Sequence, residues 1–359
     1  MTADRKKWIG LALALLPLLL AAGLYLLLPY FPGFTETVVT GGVFRALSVP
    51  FGWLISWLPF SLTEVLVVLG IPAALVWLVV GIVRTCRRKR WFPLIKTVCW
   101  VLSVGLLLYM LLHGVNFYRR PVAELMDLTV TAHSTDDLAA LAMQMAANAE
   151  KERQALSENE DGTVAVAVTL TDAGEGFAVL DDQYPFLWGA TDRVKRVLLS
   201  HYWSYTGITG MYFPLLAEAN VNTDQPAWCI PFTACHELAH TRGFAREDEC
   251  NFLGYLAAIS HPDAAYRYSG YYMGYIYCNN ALYALDPDKA ATVSATVSEG
   301  MRRDLIAQSA YWQQFEGPVQ DVSDAVNDGF ITSQGVPDGV YSYGRCVDLL
   351  LAWETRGKN

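Results

Sequence analysis

The chain has 359 residues, of which 53% are hydrophobic and only 17% are charged, and its formal net charge is −9 at pH 7. So apolar a composition excludes a disordered chain, and the acidic balance argues against a nucleic-acid-binding protein, which needs a basic surface. The apolar residues are concentrated near the N-terminus, so the composition predicts a membrane region followed by a water-exposed domain.

Three apolar stretches near the N-terminus are each about 20 residues long, the length that crosses a hydrocarbon core of about 30 Å. They cover residues 8–29, 65–83 and 97–115 and are nearly free of charge. The first is too long for the apolar part of a signal peptide, about 7 to 15 residues, so we expect it to remain attached. The sequence thus predicts three transmembrane helices within a membrane region of residues 1–117.

The distribution of cations predicts how these helices cross the membrane. Three cations precede the first stretch at positions 5–7, and six lie within residues 84–96, between the second and third stretches. Because cytoplasmic loops carry an excess of lysine and arginine, both regions are expected in the cytoplasm. We therefore expect a multi-pass cell-membrane protein whose remaining residues, 118–359, form an extracytoplasmic domain. Residues 41–60 hold five aromatic side chains and few charges, and are expected to lie in the outer membrane interface.

The C-terminal region is predicted to be a mainly helical α+β domain with a small sheet. After Arg120 the chain holds 14 lysine and arginine residues against 32 aspartate and glutamate residues, which disfavours nucleic acid as a partner. Ser134 followed by acidic residues predicts the start of a long helix, and residues 192–205 are also predicted to be helical. Residues 324–339 are rich in Asn, Asp and Gly and are predicted to form a loop. The five cysteines of this region have no framework spacing, so no disulfide scaffold is expected; Cys235 and Cys250 are expected as small buried residues.

Residues 210–222 are predicted to form a strand at the edge of the small sheet. They combine β-type residues with Pro214, which a central strand would not accept. Glu218, Asn220 and Asn222 alternate with apolar residues and would line one face of this strand. Only eight residues separate it from Pro231, so we expect it to pack directly on the helix that follows.

Residues 233–256 contain the side chains that can bind one divalent metal. His236 and His240 are four positions apart, so on a helix both imidazoles lie on one face. Glu237 points away from that face of the helix, where it can take a proton from a metal-bound water as a general base. Gly243 tolerates the left-handed conformation that ends a helix and lets the chain turn back.

A third ligand is expected on a second helix over residues 245–259. Glu247 and Asn251 share one face of this helix, whereas Glu249 lies on roughly the opposite side. Glu247 is therefore predicted as the ligand, with Glu249 as the alternative, and Asn251 is placed to hydrogen-bond a ligand histidine or the glutamate. Three protein ligands and an open position are typical of catalytic Zn²⁺, although the same donors also suit manganese or iron.

The motif HELAH at positions 236–240, followed by Glu247 and Asn251 in an ExxxN pattern, resembles the zincin metallopeptidases of the glutamate-ligand type. More closely, GMYFPLLAEANVN, PFTACHELAHTRGFAREDECNF and YSYGRCVDLLLA together resemble the bacterial membrane family known as domain of unknown function 3810. This resemblance spans most of the chain and implies a zincin-like ectodomain without assigning a substrate. Only six residues separate His240 from Glu247, far fewer than in thermolysin-like enzymes.

The resemblance also implies where a substrate binds. In zincins a strand edge lies above the active-site helix and pairs with an extended peptide. Residues 210–222 are accordingly expected to bind substrate, with Glu218, Asn220 and Asn222 lining the binding face. An ordinary solvent-facing strand is the equal alternative.

Together these features predict a membrane-anchored zinc metallopeptidase that hydrolyses peptide bonds of a peptide or protein at the outer face of the cytoplasmic membrane. The peptide bond as target is implied by the resemblance alone. Such a hydrolase needs a donor aimed at the developing oxyanion. The candidates, with Tyr343 taken first, are Tyr343, Tyr341, Arg345 and His201.

Two other classes of function remain as alternatives. One is a non-catalytic zinc-containing membrane sensor that binds a peptide or wall fragment, and the other is a structural protein whose histidines never meet a metal. The presence of Glu237 favours catalysis, because a site that only binds zinc has no use for an acid beside its ligands.

Overall fold

A computed structural model describes residues 3–334 and 345–356 of the chain. Its helices are α1 (Ala3–Leu27), α2 (Pro32–Ser56), α3 (Leu62–Arg88), α4 (Phe92–Leu112), α5 (Val122–Leu125), α6 (Thr135–Arg153), α7 (Glu175–Asp181), α8 (Ser200–Ser204), α9 (Ile230–Thr241), α10 (Glu247–Ser260), α11 (Ala264–Leu285), α12 (Pro287–Ala295), α13 (Glu299–Gln313), α14 (Pro318–Ser333) and α15 (Arg345–Thr355). Its strands are β1 (Ser157–Glu158), β2 (Val164–Ala165), β3 (Lys195–Arg196), β4 (Gly210–Phe213) and β5 (Glu218–Val221). The described chain is mostly helical with small sheets, as the sequence predicts.

Four N-terminal helices, α1 to α4, are long and apolar enough to cross a membrane. The sequence predicted three, and these correspond to α1, α3 and α4. The additional helix is α2, which contains most of the segment 41–60 that was predicted to lie in the membrane interface. Glu36 and Arg45 are the only charged residues of α2, so its composition also fits a membrane-spanning helix.

Helices α1 and α4 pack side by side and run in the same direction. A Cβ atom on Gly10, near the start of α1, would lie 3.3 Å from the Lys96 Nζ near the start of α4. Near the other ends, the ring centroids of Tyr25 and Tyr118 are 6.3 Å apart. The cations at positions 5–7 and those within residues 84–96 therefore lie at the same end of this helix group.

Helix α2 contacts the C-terminal region at both of its ends. Near the start of α2, Glu36 Oε1 pairs with the buried Arg119 Nη2 at 2.6 Å. Near its end, a Cβ atom on Gly52 would lie 3.3 Å from the carbonyl oxygen of Ala217. Helix α2 thus lies along the C-terminal domain, and the side of the domain that it covers is called the base below.

The C-terminal domain is built around α10, whose residues 248–258 are all buried. Helices α7, α9, α11 and α15 pack on it from different sides. A helix that is buried on all sides is typical of the centre of a domain. Cys250 of α10 and Cys235 of α9 are both fully buried, as expected of small apolar residues.

The main sheet has the strand order β3, β5, β4. Strands β4 and β5 are antiparallel, with Gly210 opposite Val221 and Phe213 opposite Glu218, whereas β3 pairs with β5 in parallel. Residues 210–222 therefore form two strands of a hairpin rather than one edge strand. Only the first of them, β4, lies at the edge, because Pro214 begins the turn that leads into the central strand β5.

Three further predictions from the sequence have mixed outcomes. The helix expected after Ser134 is confirmed as α6, and the Ser134 hydroxyl accepts a hydrogen bond from the Asp137 backbone N–H at 3.1 Å. Residues 192–205 form the short strand β3 and helix α8 instead of one helix. The loop predicted at 324–339 is wrong for residues 324–333, which belong to α14.

Candidate metal centre

A sharp turn between α9 and α10 folds the two motif helices against each other. This turn is at Gly243, whose φ is +83°, a backbone conformation that residues with a side chain rarely adopt. Its N–H donates to the His240 carbonyl at 3.0 Å. Further along, Gly254 lets α10 approach α9 closely, since a Cβ atom there would lie 3.0 Å from the backbone nitrogen of His236.

This packing brings His236, His240 and Glu247 together. Their ligand atoms all lie within 4.8 Å of one another. The Nε2 of His236 is 3.2 Å from Glu247 Oε2, and the Nε2 of His240 is 3.6 Å from Glu247 Oε1. For tetrahedral zinc with bonds of about 2.1 Å, the ligand atoms lie about 3.4 Å apart, and each imidazole lies near that distance from one of the two Glu247 oxygens.

The protonation of these groups also fits a cation site. Burial works to raise the pKa of Glu247, but His240 and His236 outweigh it and lower that pKa to about 2. Burial works to lower the pKa of His236, but Glu247 outweighs burial and raises it, whereas burial dominates for His240 and lowers its pKa. Glu247 is thus an anion at neutral pH, and a divalent cation would take the place of the proton shared with His236.

The outer nitrogen of each ligand histidine faces a group that can orient the ring. His240 Nδ1 donates to the carbonyl oxygen of Phe244 at 2.9 Å, which leaves Nε2 free to bind a metal. Asn251 lies near enough to His236 to help raise the pKa of its imidazole, although His236 Nδ1 has no hydrogen-bond partner among the described residues. The Asn251 Oδ1 accepts a hydrogen bond from the Tyr277 hydroxyl at 3.0 Å. Rotating the Asn251 amide by 180° would let Oδ1 accept from His236 Nδ1 and would turn Nδ2 toward Tyr277.

Glu249, the alternative ligand, points away from the two histidines. Its Oε1 accepts from the Val122 backbone N–H at 2.8 Å and pairs with Arg246 Nη2 at 3.0 Å. The helical spacing explains the difference, because two positions on α10 rotate the side chain to the other side. Among the described residues, the geometry therefore favours Glu247 as the third ligand.

Glu237 lies beside this cluster and is 4% exposed. Gly210 makes room for it, since a Cβ atom at position 210 would lie 2.5 Å from Glu237 Oε1. The other oxygen, Oε2, is buried and has no hydrogen-bond partner in the described parts of the chain. Burial, which outweighs the influence of His236, raises the pKa of Glu237 to about 8. A nearby divalent cation would oppose this effect and stabilise the carboxylate.

The edge strand β4 faces Glu237. The Asn222 N–H donates to the Thr209 carbonyl oxygen. Hydrogen-bonded and non-hydrogen-bonded residues alternate along an antiparallel strand, so the N–H and C=O groups of Gly210 and Tyr212 point away from β5. The backbone of Tyr212 accordingly hydrogen-bonds to the Glu237 carboxyl. The free edge of the sheet therefore runs past the motif helix.

The predicted substrate-binding side chains lie elsewhere, which corrects the prediction that they line a substrate cleft or a solvent face. Glu218 and Asn220 belong to the central strand β5, Asn222 follows it, and all three are buried. Glu218 accepts from the Thr63 backbone N–H at 2.7 Å, and Asn220 Oδ1 accepts from the Ser61 hydroxyl at 2.6 Å. These residues tie the start of α3 to the sheet.

The two described candidates for an oxyanion donor, Arg345 and His201, pair with acidic residues outside the cluster. Tyr343 and Tyr341 lie outside the described residues. Arg345 Nε pairs with Asp248 Oδ2 at 3.3 Å, and the exposed His201 hydrogen-bonds to Asp224.

Two residues that the sequence analysis missed flank the cluster. The ring of His113, directly after α4, lies 6.0 Å from that of His240, and Tyr212 stacks on His240 with centroids 6.0 Å apart. The His113 Nδ1 and the Tyr212 hydroxyl are buried and find no hydrogen-bond partner among the described residues. Buried polar atoms are seldom left unpaired, so these two are the nearest groups beside His240 that could bind a substrate. No local motif marks them, because only the fold brings them to α9.

Residues 40–351 match the family described as "Protein of unknown function (DUF3810)". No curated protein and no solved structure matches the chain. The matched region is most of the chain and includes all three residues of the His236, His240 and Glu247 cluster. The chain therefore belongs to the DUF3810 family.

Proposed function

We propose that the protein is a membrane-anchored zinc metallopeptidase of the zincin-like type. The observation that supports this proposal is the convergence of His236, His240 and Glu247 within 4.8 Å. Glu237 lies beside them as a buried carboxyl with an unpaired oxygen among the described residues. Two imidazoles and one carboxylate leave a fourth tetrahedral position open, which is the arrangement of catalytic rather than structural zinc.

In this mechanism His236, His240 and Glu247 would hold the ion. A bound zinc ion would supply Lewis-acid chemistry and lower the pKa of water toward about 7. Glu237 accepts the proton of the attacking water and delivers it to the leaving amine. The outward N–H and C=O of Gly210 and the outward C=O of Tyr212 orient the substrate by pairing with it as an added strand, while the Tyr212 N–H bonds to Glu237.

His113 is the residue that we assign to the developing oxyanion. Its imidazole is buried beside His240 and Tyr212 and can donate one hydrogen bond in the neutral form. We expect His113→Phe, which keeps an aromatic ring but removes the donor, to lower kcat by about 10²- to 10³-fold with zinc content unchanged. His113→Gln retains a donor and should recover part of the rate. Equal peptidase rates for wild type and His113→Phe would exclude this role.

We place the C-terminal domain outside the cytoplasm, with α1, α3 and α4 crossing the membrane and α2 lying on the domain. The contacts at both ends of α2 keep those ends on one side of the bilayer. The cations at 5–7 and 84–96 lie at the opposite end of the helix group from the domain, where an excess of cations is typical of the cytoplasmic face. The buried Arg119 pairs with Glu36 and is therefore no indicator of orientation.

The proposal is tested with the purified full-length protein and a peptide library. We expect stoichiometric zinc, peptide cleavage that a chelator abolishes, and recovery of cleavage when zinc is returned. A zinc-loaded protein that cleaves no peptide would favour the sensor, and a protein that takes up no metal would exclude both the peptidase and the sensor.

A further inference from the structure

The candidate metal centre lies at the end of a membrane helix. Helix α4 ends at Leu112, and the next residue, His113, already contacts His240. The 21 residues of α4 give a length of about 32 Å, close to the hydrocarbon thickness of about 30 Å. The cluster is therefore expected close to the level where hydrocarbon meets the lipid headgroups.

Helix α2 forms part of the base of the domain beside this centre. Its residue Phe44 is fully buried and lies against Gly243, the turn between the two motif helices. Its outward side is apolar and aromatic, with Phe51 51% and Trp53 53% exposed. An apolar outer side that includes tryptophan is typical of a helix in contact with the membrane interface. The side of the domain that carries the metal centre thus faces lipid.

The edge strand leads toward the same boundary. Strand β4 passes Glu237 and continues directly into Pro214–Leu216, a short turn that contacts α4. Leu215 in this turn is 37% exposed. A peptide paired along β4 would therefore extend from the metal centre toward the membrane helices.

From these contacts we infer that the substrate is itself membrane-anchored, a peptide or protein cut in the few residues next to its own transmembrane or lipid anchor. This inference rests on the proposed peptidase function. A free peptide must enter between the domain and the bilayer, whereas an anchored segment is already confined to that layer. Confinement raises the effective concentration at the site without any new contact.

The test uses proteoliposomes containing the full-length protein and a peptide sequence that it cleaves. The same sequence is offered free, or joined to a transmembrane anchor by a linker of about 4 or about 40 residues, which reach at most ~14 Å and ~140 Å. We expect the short-linker substrate to be cleaved at least roughly tenfold faster than either other form. Equal rates for the free and short-linker peptides would overturn the inference while leaving the peptidase intact. If the peptide library yields no cleaved sequence, the proposed function fails, and a measurement of depth in the bilayer decides the position of the site.

The position of the site is measured without any activity. A spin label at Leu215→Cys, in a Cys86→Ser background that removes the exposed thiol, reports collisions with oxygen and with a water-soluble nickel chelate. The matched label is Tyr283→Cys, an exposed position on α11, which packs on α6 and α12. We expect a severalfold lower nickel accessibility at position 215 than at 283. Equal accessibility would place the strand in bulk water and overturn the inference.

Discussion

Replacing Glu247 by glutamine is expected to abolish tight zinc binding, whereas replacing Glu249 by glutamine is not. Glu247 supplies the only carboxylate of the described cluster, with its oxygens 3.2 and 3.6 Å from the two imidazoles. Loss of a supporting residue around zinc typically costs 10- to 100-fold in affinity, so loss of a direct ligand should cost more than about 100-fold. Competition with a chromophoric chelator measures this change.

Glu249→Gln is the matched control, since it changes a buried glutamate two positions away on the same helix. An amide at position 249 can still accept from the Val122 N–H but loses the charge that pairs with Arg246. It should lower the free energy of unfolding by about 1–3 kcal/mol and leave zinc affinity near that of the wild type. Because a ligand that binds only the folded state stabilises it, zinc should raise the Tm of Glu249→Gln and not that of Glu247→Gln. The reverse pattern would assign the ligand to Glu249.

The convergence of His236, His240 and Glu247 could be predicted from sequence because its determinants are local. His236 and His240 are one helical turn apart, Gly243 ends the helix, and Glu247 begins the next one, so spacing alone places them on facing sides. The choice of Glu247 over Glu249 followed from helical periodicity in the same way. Ser134 was equally predictable, because a capping box involves only neighbouring residues.

What the sequence could not predict depends on contacts between distant segments. Glu218 and Asn220 alternate with apolar residues, a pattern that predicts an open strand face, yet the start of α3 covers them and supplies their hydrogen bonds. Lys195 lies in a strand rather than a helix because β5 pairs with it and the carbonyl of Ser56 accepts its ammonium. Such tertiary contacts override local propensity. No sequence pattern connects His113 with His240, because the two residues are far apart along the chain and only the fold places their rings side by side.

Replacing Glu237 by glutamine is expected to lower kcat by about 10²- to 10⁴-fold, the usual contribution of a general base, while leaving zinc bound. Glutamine has nearly the same shape as glutamate, so it fits the space that Gly210 leaves, but it cannot accept the proton of the attacking water. Glu237 is not one of the three clustered ligands, so zinc affinity should stay near that of the wild type. Peptide hydrolysis and zinc content are measured on the same preparation.

Glu175→Gln is the control for this variant, because it removes one carboxylate from an exposed position on α7 and should leave the rate unchanged. If Glu237→Gln keeps both zinc and the wild-type rate, Glu237 is not the base and the buried carboxyl has another role. If it loses zinc together with activity, Glu237 supports the ligands instead of moving a proton. Only a loss of rate with zinc retained separates proton transfer from metal binding, and this separation distinguishes a peptidase from a zinc-containing sensor.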